Sequence, residues 1–413
     1  MTALPVSVVV VSRGRPDSLK KCLAGLARLH YPNYEIIVVA DAAGLQSLHD
    51  TGLTDEVKIV AFDEANISKA RNRGIAVSAG EVVAFIDDDA VPEPTWLDFL
   101  MLGFEWPEAA AAGGYVRGRN GISFQWKARS VDRTGFAVPL DIDESDPVLL
   151  TPPPGRAIKT EGTNMAVRRD VLAGIGGFDT VFRFYLDETD LNMRLAREGH
   201  ATAIVPGAQV HHAFAESSQR APDRAPRDLF DVGASTAAFL RKHCPVTEHR
   251  QVLARLTEER HTSLLGYMID GRIEPRDVRR LMRRLEDGID EGWNRPLTTM
   301  PPIPHSPHWF LPFESRATGD SIVISGRYRQ VRALRQAARE AAATGTCVTL
   351  FLLSRTALSH VSGMTAPGLW EQRGGLWGRS ERSQPFFRLT RFARRVAEET
   401  ARVAPQRGIA KMD

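Results

Sequence analysis

Short apolar stretches alternate with amphipathic ones through the first 90 residues of the chain. Four stretches rich in Val and Ile predict strands covered on both faces, at residues 5–12, 35–40, 57–62 and 81–86. Residues 18–29 carry apolar side chains at a helical period, and residues 68–78 predict a second helix. Repeated strand–helix–strand units with short links predict a doubly wound, mixed α/β sheet.

The regular alternation is lost in the next part of the chain. Residues 113–160 are rich in Gly, Asp and Pro, and we expect a long functional loop or lid over the edge of the sheet. A helix over residues 187–197 and a short strand over residues 201–205 are predicted next. The strand is expected to end near His211 and His212.

After residue 215 the sequence no longer continues the strand–helix alternation of the first part of the chain. Amphipathic periods predict three helices, at residues 227–243, 247–268 and 274–287. A stretch rich in Pro and aromatic residues predicts a linker, and a strand–helix–strand pattern over residues 321–354 predicts a small module of open role. We therefore expect a first domain, a helical extension, a linker and a C-terminal α/β module, with boundaries 1–215, 216–293, 294–319 and 320–413.

Composition and charge restrict the class of protein. The 413 residues are 43% hydrophobic and 25% charged, with a net charge of +3, which is ordinary globular composition and argues against a nucleic-acid partner. Between residues 373 and 410, nine Arg face three acidic residues. We interpret this run as a solvated face, and contact with an anionic acceptor or a membrane surface is the alternative.

Cysteine usage and hydropathy bear on the compartment. Cys22, Cys244 and Cys347 are far apart in sequence, so we expect neither a disulfide framework nor a zinc site. The apolar start of the chain has no basic region or cleavage site and predicts a buried strand rather than a signal peptide. No stretch reaches the ~20 apolar residues of a spanning helix. We expect a cytoplasmic protein, and leave open a homo-oligomer and peripheral contact with the inner face of the membrane.

Three consecutive carboxylates, Asp87, Asp88 and Asp89, follow the fourth predicted strand. Such a run repels itself unless a cation or several donors neutralise it. Mg²⁺ and Mn²⁺ prefer oxygen ligands and often bridge phosphates, so an Asp-x-Asp at a strand end suits a metal–diphosphate clamp. Asp41 also follows a strand, and ligands of doubly wound sheets bind at such ends. A solvated acidic turn is the alternative.

Three further patterns carry candidate chemistry. Asp187 and Glu188 begin a predicted helix, where one of them could act as a general base, although acidic residues in a first turn also suit the helix dipole. His211 and His212 could complete an Mn²⁺ shell, although histidines more often pack in a core or lie exposed. The basic helix 69–74 could grip a diphosphate or form an ordinary polar face.

These patterns, in this order, resemble the family-2 glycosyltransferases with the GT-A fold. The resemblance covers roughly residues 5–215, and its motifs are VSVVVVSRGRPDSLKKCL, YPNYEIIVVAD, NISKARNRGIAVSAGEVVAFIDDD, GTNMAVRRDVLAGIGGFD and LDETDLNMRL. Each motif alone is weak, but the ordered combination is specific. The resemblance implies a metal-dependent, inverting transfer from a nucleoside-diphosphate-sugar, with a UDP-sugar favoured. It also implies a glycan or lipid-linked acceptor, in polysaccharide or cell-surface glycan synthesis.

The resemblance also implies roles for individual residues. The general base falls on Glu188, with Asp187 as the alternative. The metal, Mn²⁺ or Mg²⁺, would be held by Asp89 and Asp87, and His212 lies where some relatives supply a metal-binding histidine. The implied donor-binding set is Arg13, Asp41, Arg71, Asp87, Asp88, Gly162, Thr163 and Asn164.

Other classes of function stay open. A nucleotidyltransferase acting on sugar phosphates would also use carboxylates and Mg²⁺, but the RGRP after the first strand is poor in the glycines of a phosphate loop. An NAD-dependent oxidoreductase would need a glycine fingerprint opening the first helix, and none is present. A non-catalytic sugar- or nucleotide-binding scaffold could present aromatic residues of the C-terminal module, which could equally form a small core: Trp370, Trp377, Phe386 and Phe387.

Overall fold

The computed structural model describes residues 3–213, 216, 219–297, 299–317 and 319–410. Its first part contains β1 (Val6–Ser12), α1 (Pro16–Leu26), β2 (Tyr34–Ala40), α2 (Ala42–His49), β3 (Lys58–Ala61), α3 (Ile67–Val77) and β4 (Val82–Asp87). These four strands are parallel, in the order β3-β2-β1-β4. The four predicted strands and both predicted helices are present. Helix α2 was not predicted, because its AAGLQSLH sequence has too few apolar residues to define a period.

The middle of the chain completes the sheet. It forms β5 (Ala90–Pro92), α4 (Trp96–Leu102), β6 (Ala109–Arg117), β7 (Phe124–Trp126), β8 (Arg129–Asp132), β9 (Ala137–Pro139), β10 (Val148–Leu150), β11 (Arg156–Lys159), β12 (Met165–Arg168), α5 (Arg169–Gly174), α6 (Asp187–Arg197) and β13 (Ala201–His212). Strand β12 lies antiparallel between β4 and β6, and β13 runs parallel to β6. The sheet order is β10-β13-β6-β12-β4-β1-β2-β3, which confirms the mixed α/β class.

The prediction of one irregular loop over residues 113–160 is wrong. Strand β6 occupies the first part, and short strands follow, of which β11, β8 and β9 form a separate antiparallel sheet. Strands of three or four residues are too short to show an alternating pattern, and distant partners stabilise them. The region is therefore a folded wall beside the main sheet.

Strand β13 extends beyond the predicted range 201–205 and reaches His212, near which the sequence placed its end. Its pairing with β6 shifts register between Val205 and Gln209, where Pro206 and Gly207 lie. Proline and glycine within a strand mark a bulge as often as an end. The bulged extension carries His211 and His212 to the edge of β5.

The predicted helical extension is present as α7 (Phe230–His243), α8 (Val246–Ile269) and α9 (Pro275–Asn294). Helices α7 and α9 cross closely at glycines, because a Cβ on Gly288 would lie 2.0 Å from the carbonyl oxygen of Phe230. Helix α7 also packs on the first domain, where the Phe239 and Phe182 rings lie 6.4 Å apart. No helix in the described part of the chain combines the length and apolar character needed to cross a membrane.

The predicted linker over residues 294–319 has no regular structure in its described residues, but it packs along the first domain. The Phe313 side chain is buried and lies 5.6 Å from the ring of Tyr34. The backbone N–H of Leu311 donates to Glu35 at 2.8 Å. The segment is therefore a strap across the edge of the sheet rather than a free tether. The predicted boundary at residue 215 lies outside the described residues.

The C-terminal module is a second sheet. It contains β14 (Ile322–Arg327), α10 (Val331–Ala343), β15 (Val348–Ser354), β16 (Val361–Ala366), β17 (Leu369–Gly375) and α11 (Phe392–Arg407), with strand order β14-β15-β17-β16. Within the Arg-rich run, Arg395 and Arg407 are almost completely buried, so the prediction of a solvated face is wrong for these two. Trp370 belongs to the core, whereas Phe386 and Phe387 are exposed.

Candidate active site

A cleft of about 740 Å³ opens beyond the carboxyl ends of β1 and β4. Ligand sites of doubly wound sheets lie at this edge. Of the residues singled out from the sequence, those that line the cleft are Arg13, Arg71, Asp87, Asp89, Gly162, Thr163, Asp187, Glu188 and His212. The acidic triplet and the acidic start of α6 therefore face one cavity.

The three aspartates after β4 have different environments. Asp88 is completely buried, accepts a hydrogen bond from Ser12 Oγ at 2.7 Å, and pairs with Arg15 at 2.5 Å. Burial raises the pKa of Asp88 to about 7, although Arg15 opposes the shift. Asp88 therefore lies beneath the cleft. Its predicted direct contact with the donor is corrected to a position from which it holds Arg15.

The other two aspartates converge with the second histidine of the His-His pair. One ligand atom from each of Asp87, Asp89 and His212 lies within 4.8 Å of the others. His212 Nε2 is 3.2 Å from Asp89 Oδ1, and His212 Nδ1 is 3.2 Å from the side-chain oxygen of Gln125. If Nδ1 donates to Gln125, the neutral imidazole directs the Nε2 lone pair toward the carboxylates, as a metal ligand must.

Arg71 connects the two acidic groups. Its guanidinium pairs with Asp187 and lies 3.2 Å from Asp87, and it donates to the carbonyl of Gly162 at 3.3 Å. A Cβ on Gly162 would approach Arg71 Nη2 to 2.5 Å, so this position suits glycine. Within the basic stretch 69–74, Arg71 lines the cleft, whereas Lys69 pairs with an exposed glutamate and Arg73 is exposed.

The adjacent carboxylates of α6 meet different cations. Burial raises the pKa of Asp187 to about 7, and the paired Arg71 only partly offsets this. Burial also acts to raise the pKa of Glu188, but Lys159, at 2.7 Å, and Arg71 outweigh it and hold the pKa at about 2. Glu188 has the more exposed side chain of the two, 18% against 5%.

The turn before α6 is strained. Tyr185 and Leu186 have φ values of 70° and 64°, a left-handed conformation that costs about 1–3 kcal/mol for a residue other than glycine. The turn is held from outside the first domain, since Ser235 of α7 donates to the Phe184 carbonyl at 2.6 Å. Such strain persists where the surroundings over-determine it, and here it fixes the directions of Asp187 and Glu188.

A buried charge cluster supports the other face of α6. Asp190 pairs with Arg194 at 2.8 Å and with Lys242 of α7 at 2.6 Å, and His243 lies 2.8 Å away. Burial alone would raise the pKa of Asp190, but these cations hold it below the usual range. An exposed i,i+4 pair contributes little, but this carboxylate is completely buried, and removing one partner would leave a charge inside.

Two more residues of the predicted donor set have partners within the protein. Asp41 caps α2 and accepts hydrogen bonds from the backbone N–H groups of Gly14, which lines the cleft, and of Gly44, at 2.8 and 2.9 Å. Asn164 is buried and accepts from Trp96 Nε1 at 2.8 Å. Asn164 therefore supports the cleft from within the fold, whereas the contact of the partly exposed Asp41 with the donor stays a prediction.

Sequence reasoning missed three residues of the cleft and its floor. Arg15 pairs with Asp88 and lies 3.5 Å from Asp89, while Lys159 pairs with Glu188. Trp126 lies 5.8 Å from the His212 ring. The RGRP following β1 carried a basic signal for Arg15, but Lys159 and Trp126 come from the region expected to be irregular and carried none.

The first histidine of the pair faces away from the cleft. His211 Nε2 is 2.7 Å from Glu93, and Glu93 also pairs with Arg407 of α11 at 3.1 Å. All three side chains are buried, and the His211 ring packs 4.8 Å from Trp370. The C-terminal module therefore contacts the strand that carries His212, one residue from the cleft.

The mixed sheet with an acidic cleft at its carboxyl edge is a GT-A-like arrangement. Residues 7–187 match the model of "Glycosyl transferase family 2". The match supports, for this segment of the chain, the resemblance to family-2 glycosyltransferases that the sequence motifs carry. The C-terminal module lies outside the matched residues.

Curated relatives agree with this assignment. A glucosyl-dolichyl phosphate glucuronosyltransferase of Haloferax volcanii is 29% identical over 43% of this chain and 56% of its own length. An N-acetylglucosaminyl-diphospho-decaprenol L-rhamnosyltransferase of Mycobacterium tuberculosis is 25% identical over 54% of this chain and 71% of its own length. An O-antigen biosynthesis protein of Myxococcus xanthus is 28% identical, over 57% of this chain and 19% of its own length.

The chain thus spans about half or less of the length of several of these relatives. Among solved structures, GalNAc-T7 with UDP, GalNAc and Mn²⁺ superposes with a TM-score of 0.43 at 16% identity, covering 58% of this chain and 48% of that chain.

Proposed function

We propose that the protein is an inverting glycosyltransferase that moves a sugar from a nucleoside-diphosphate-sugar to an acceptor hydroxyl. The observation that carries the proposal is the position of Arg71, which contacts Asp87 of the triplet and Asp187 of the acidic helix start. The metal-site candidates and the acidic start of α6 therefore flank one cleft. The guanidinium of Arg71 contacts a carboxylate on each side. A nucleotide-sugar lying between them would be reached from both sides.

A divalent cation fits the residues on one side of the cleft. Asp87, Asp89 and His212 supply two carboxylates and an imidazole, a donor set suited to Mn²⁺ and compatible with Mg²⁺. When bound, such an ion neutralises charge that develops on a leaving diphosphate. Arg15 lies 3.5 Å from Asp89 and adds a second positive group at this end.

The remaining chemistry belongs to side chains of the chain itself. Arg71, fixed between two carboxylates, can donate to a diphosphate oxygen and stabilise charge on the leaving group. Glu188, on the opposite side, accepts the proton of the acceptor hydroxyl as that oxygen attacks the anomeric carbon. Attack opposite to the departing diphosphate inverts the anomeric centre.

Glu188 is the better candidate for the base. Asp187 is paired with Arg71 and almost completely buried, whereas Glu188 is the more exposed of the two and is kept ionised by Lys159. We assign Asp187 the task of orienting Arg71. A proton on Glu188 would otherwise block its use as a base, so the Lys159 contact favours the active ionisation state.

The acceptor is proposed to be a glycan or a lipid-linked sugar, in polysaccharide or cell-surface glycan synthesis. The relatives from Haloferax volcanii and Mycobacterium tuberculosis are named for dolichyl and decaprenol acceptors. We propose a cytoplasmic reaction, a location with which three free, buried cysteine thiols are compatible.

The donor is identified by thermal shift with UDP-, GDP-, dTDP- and CMP-sugars, each with and without Mn²⁺, and UDP-sugars are tested first. A stabilising donor is then incubated with acceptors, and the released nucleotide is measured. Release of a nucleoside diphosphate supports the proposal. Release of pyrophosphate from a nucleoside triphosphate and a sugar phosphate would instead identify a nucleotidyltransferase, and stabilisation by a donor without release of any nucleotide would favour a binding scaffold without catalytic activity.

Metal removal gives a separate test. We expect EDTA to abolish transfer and added Mn²⁺ to restore it, because Asp87 and Asp89 would otherwise repel the diphosphate. The measurement is nucleoside diphosphate release in chelator-treated buffer. Unchanged activity there would remove the ion from the mechanism.

A further inference from the structure

The C-terminal module carries an exposed apolar and basic surface over residues 379–394, which we call the aromatic–basic patch. Phe386, Phe387 and Leu389 are 73%, 56% and 77% exposed. Single exposed apolar side chains are common, but here three large ones within four positions form one exposed apolar segment. Such surfaces mark contacts with other molecules or with membranes.

The same stretch is strongly basic, with five arginines and one acidic residue, Glu381. The guanidinium of Arg379 lies 4.1 Å from the centre of the Phe386 ring, so a cation and an aromatic ring share one face. Arg382, Arg391 and Arg394 are exposed. The patch therefore combines apolar tips with a positive field.

The backbone frame of the patch is fixed. The N–H of Arg388 donates to the Trp377 carbonyl at 3.0 Å, and the N–H of His360 donates to the Arg379 carbonyl at 2.9 Å. Ser380 Oγ donates to buried Glu399 of α11 at 2.5 Å. These bonds hold the strand-to-helix connection in place, so the exposure of Phe386, Phe387 and Leu389 belongs to the folded module.

We propose that the aromatic–basic patch binds the surface of an anionic lipid bilayer. Arginines are attracted to anionic headgroups, and aromatic and aliphatic tips partition into the interfacial region, so both signals of a reversible anchor are present. A complementary protein would need a matching acidic and apolar face, whereas the bilayer supplies both in one surface. This proposal does not depend on the proposed transferase activity.

The patch also lies beside the cleft. Arg382 Nε donates to Ser123 Oγ at 3.1 Å, and Ser123 immediately precedes β7. The last residue of β7 is Trp126, which lines the cleft. When the protein binds a bilayer through the patch, this wall of the cleft would therefore lie close to the bilayer.

The test is co-sedimentation of the full chain with lipid vesicles. Vesicles of phosphatidylcholine alone are compared with vesicles in which about one third of the lipid is phosphatidylglycerol. We expect binding to the anionic vesicles alone, and weaker binding at about 0.5 M salt because the ions screen the arginines. Absence of binding to anionic vesicles, or equal binding to both kinds, would overturn the proposal.

Matched variants distinguish binding through the patch from nonspecific binding through any exposed aromatic side chain. The triple substitution Phe386→Ser, Phe387→Ser and Leu389→Ser is expected to weaken vesicle binding by at least about tenfold. Trp309→Ser is the control, because Trp309 is 91% exposed in a stretch without neighbouring basic residues. We expect the control to bind like the unaltered protein.

A second variant, Arg382→Gln with Arg391→Gln, tests the charge without touching the apolar tips, and thermal melts check that each variant is folded. We expect it to bind anionic vesicles less and to lose most of its salt dependence. Binding that is unchanged in both patch variants overturns the proposal. A triple variant that instead loses self-association in lipid-free buffer would assign the patch to contact between two copies of the chain.

Discussion

At the start of α6, two adjacent carboxylates have different surroundings, and we propose different functions for them on that ground. Asp187 is closed off by Arg71, while Glu188 faces the cleft beside Lys159. The pKa values diverge accordingly, to about 7 for Asp187 and about 2 for Glu188. Opposed environments of this kind are how neighbouring acidic groups take separate tasks.

Replacing Glu188 by Gln should lower turnover by about 10²–10⁴-fold, because no carboxylate then remains to take the proton of the attacking hydroxyl. Donor binding, measured by thermal shift, should persist, since the metal-site candidates and Arg71 are unchanged. Glu198→Gln, at the exposed end of the same helix, is the control and should behave as the parent. Full turnover in Glu188→Gln together with its loss in Asp187→Asn would reassign the base to Asp187.

Lys159→Met should shift the pH dependence of turnover. The ammonium lowers the pKa of Glu188 against the effect of burial, so its removal raises that pKa. Below the raised pKa Glu188 is protonated and inactive, and the acidic limb of the kcat/KM profile therefore moves to higher pH. Lys127→Met, which removes an exposed lysine paired with Glu144, should leave the limb in place. A general loss of rate with an unmoved limb would contradict the assignment.

At the scale of elements, periodic patterns predicted the strands and helices that bury one face or two. Strands β1, β2 and β4 are apolar because the sheet covers them on both sides. Strands β7 to β11 are three or four residues long, and β10 and β11 pair with strands far away in sequence. No local pattern could reveal them.

The residues of the candidate site also divide into those with a local sequence signal and those without one. Asp87, Asp89 and Glu188 lie at element ends that their own sequence marks, so they could be identified. Trp126 lies on a three-residue strand, and Lys159 meets Glu188 through the pairing of β11 with the distant β8, so neither could be identified. His212 was identified, but the bulge in β13 that carries it past residue 205 was not. What the sequence could not reveal is which polar groups meet across the fold.

The packing of α7 on α9 supports the site from behind, because α7 carries Lys242 and His243 to Asp190. Gly288→Ala should destabilise the fold by about 1–3 kcal/mol, since the new Cβ would meet the Phe230 carbonyl oxygen. Gly266→Ala in α8 is the matched control. Its Cβ would meet nothing within 4 Å, and alanine in a helix gains about 0.5–1 kcal/mol over glycine.

Urea unfolding followed by circular dichroism measures both glycine variants. The expected result is opposite signs, with the midpoint lower for Gly288→Ala and equal or higher for Gly266→Ala. A Gly288→Ala midpoint equal to that of the parent would mean that the two helices separate without cost. The proposed support of α6 by α7 would then lose its basis.

At the scale of the molecule, the C-terminal module and the first domain share a buried charge cluster. Glu93 follows β5, His211 lies on β13, and Arg407 ends α11. Arg407 and His211 outweigh the effect of burial and hold the pKa of Glu93 at about 2, so the carboxylate stays charged inside the interface. Because His212 follows His211 directly, this interface fixes the strand that presents the candidate metal ligand His212.

Arg407→Met should therefore lower the stability of the fold and raise the Mn²⁺ concentration needed for transfer. It leaves Glu93 charged and buried beside a neutral His211, a loss of about 3–5 kcal/mol in comparable cases. Adding Glu93→Gln should recover part of that loss, because the pair no longer contains an unmatched charge. The concentration of Mn²⁺ giving half-maximal transfer should rise in the single variant, because β13 is less firmly held at His211.

Arg402→Met provides the comparison within α11, since Arg402 pairs with Glu399 and Gln372 of its own module. It should lower the melting temperature while leaving the Mn²⁺ dependence unchanged. If Arg407→Met and Arg402→Met shift the Mn²⁺ requirement equally, the effect follows from loosening the module as a whole. Equal behaviour would therefore contradict a specific link through Glu93 and His211, whereas a shift confined to Arg407→Met supports it.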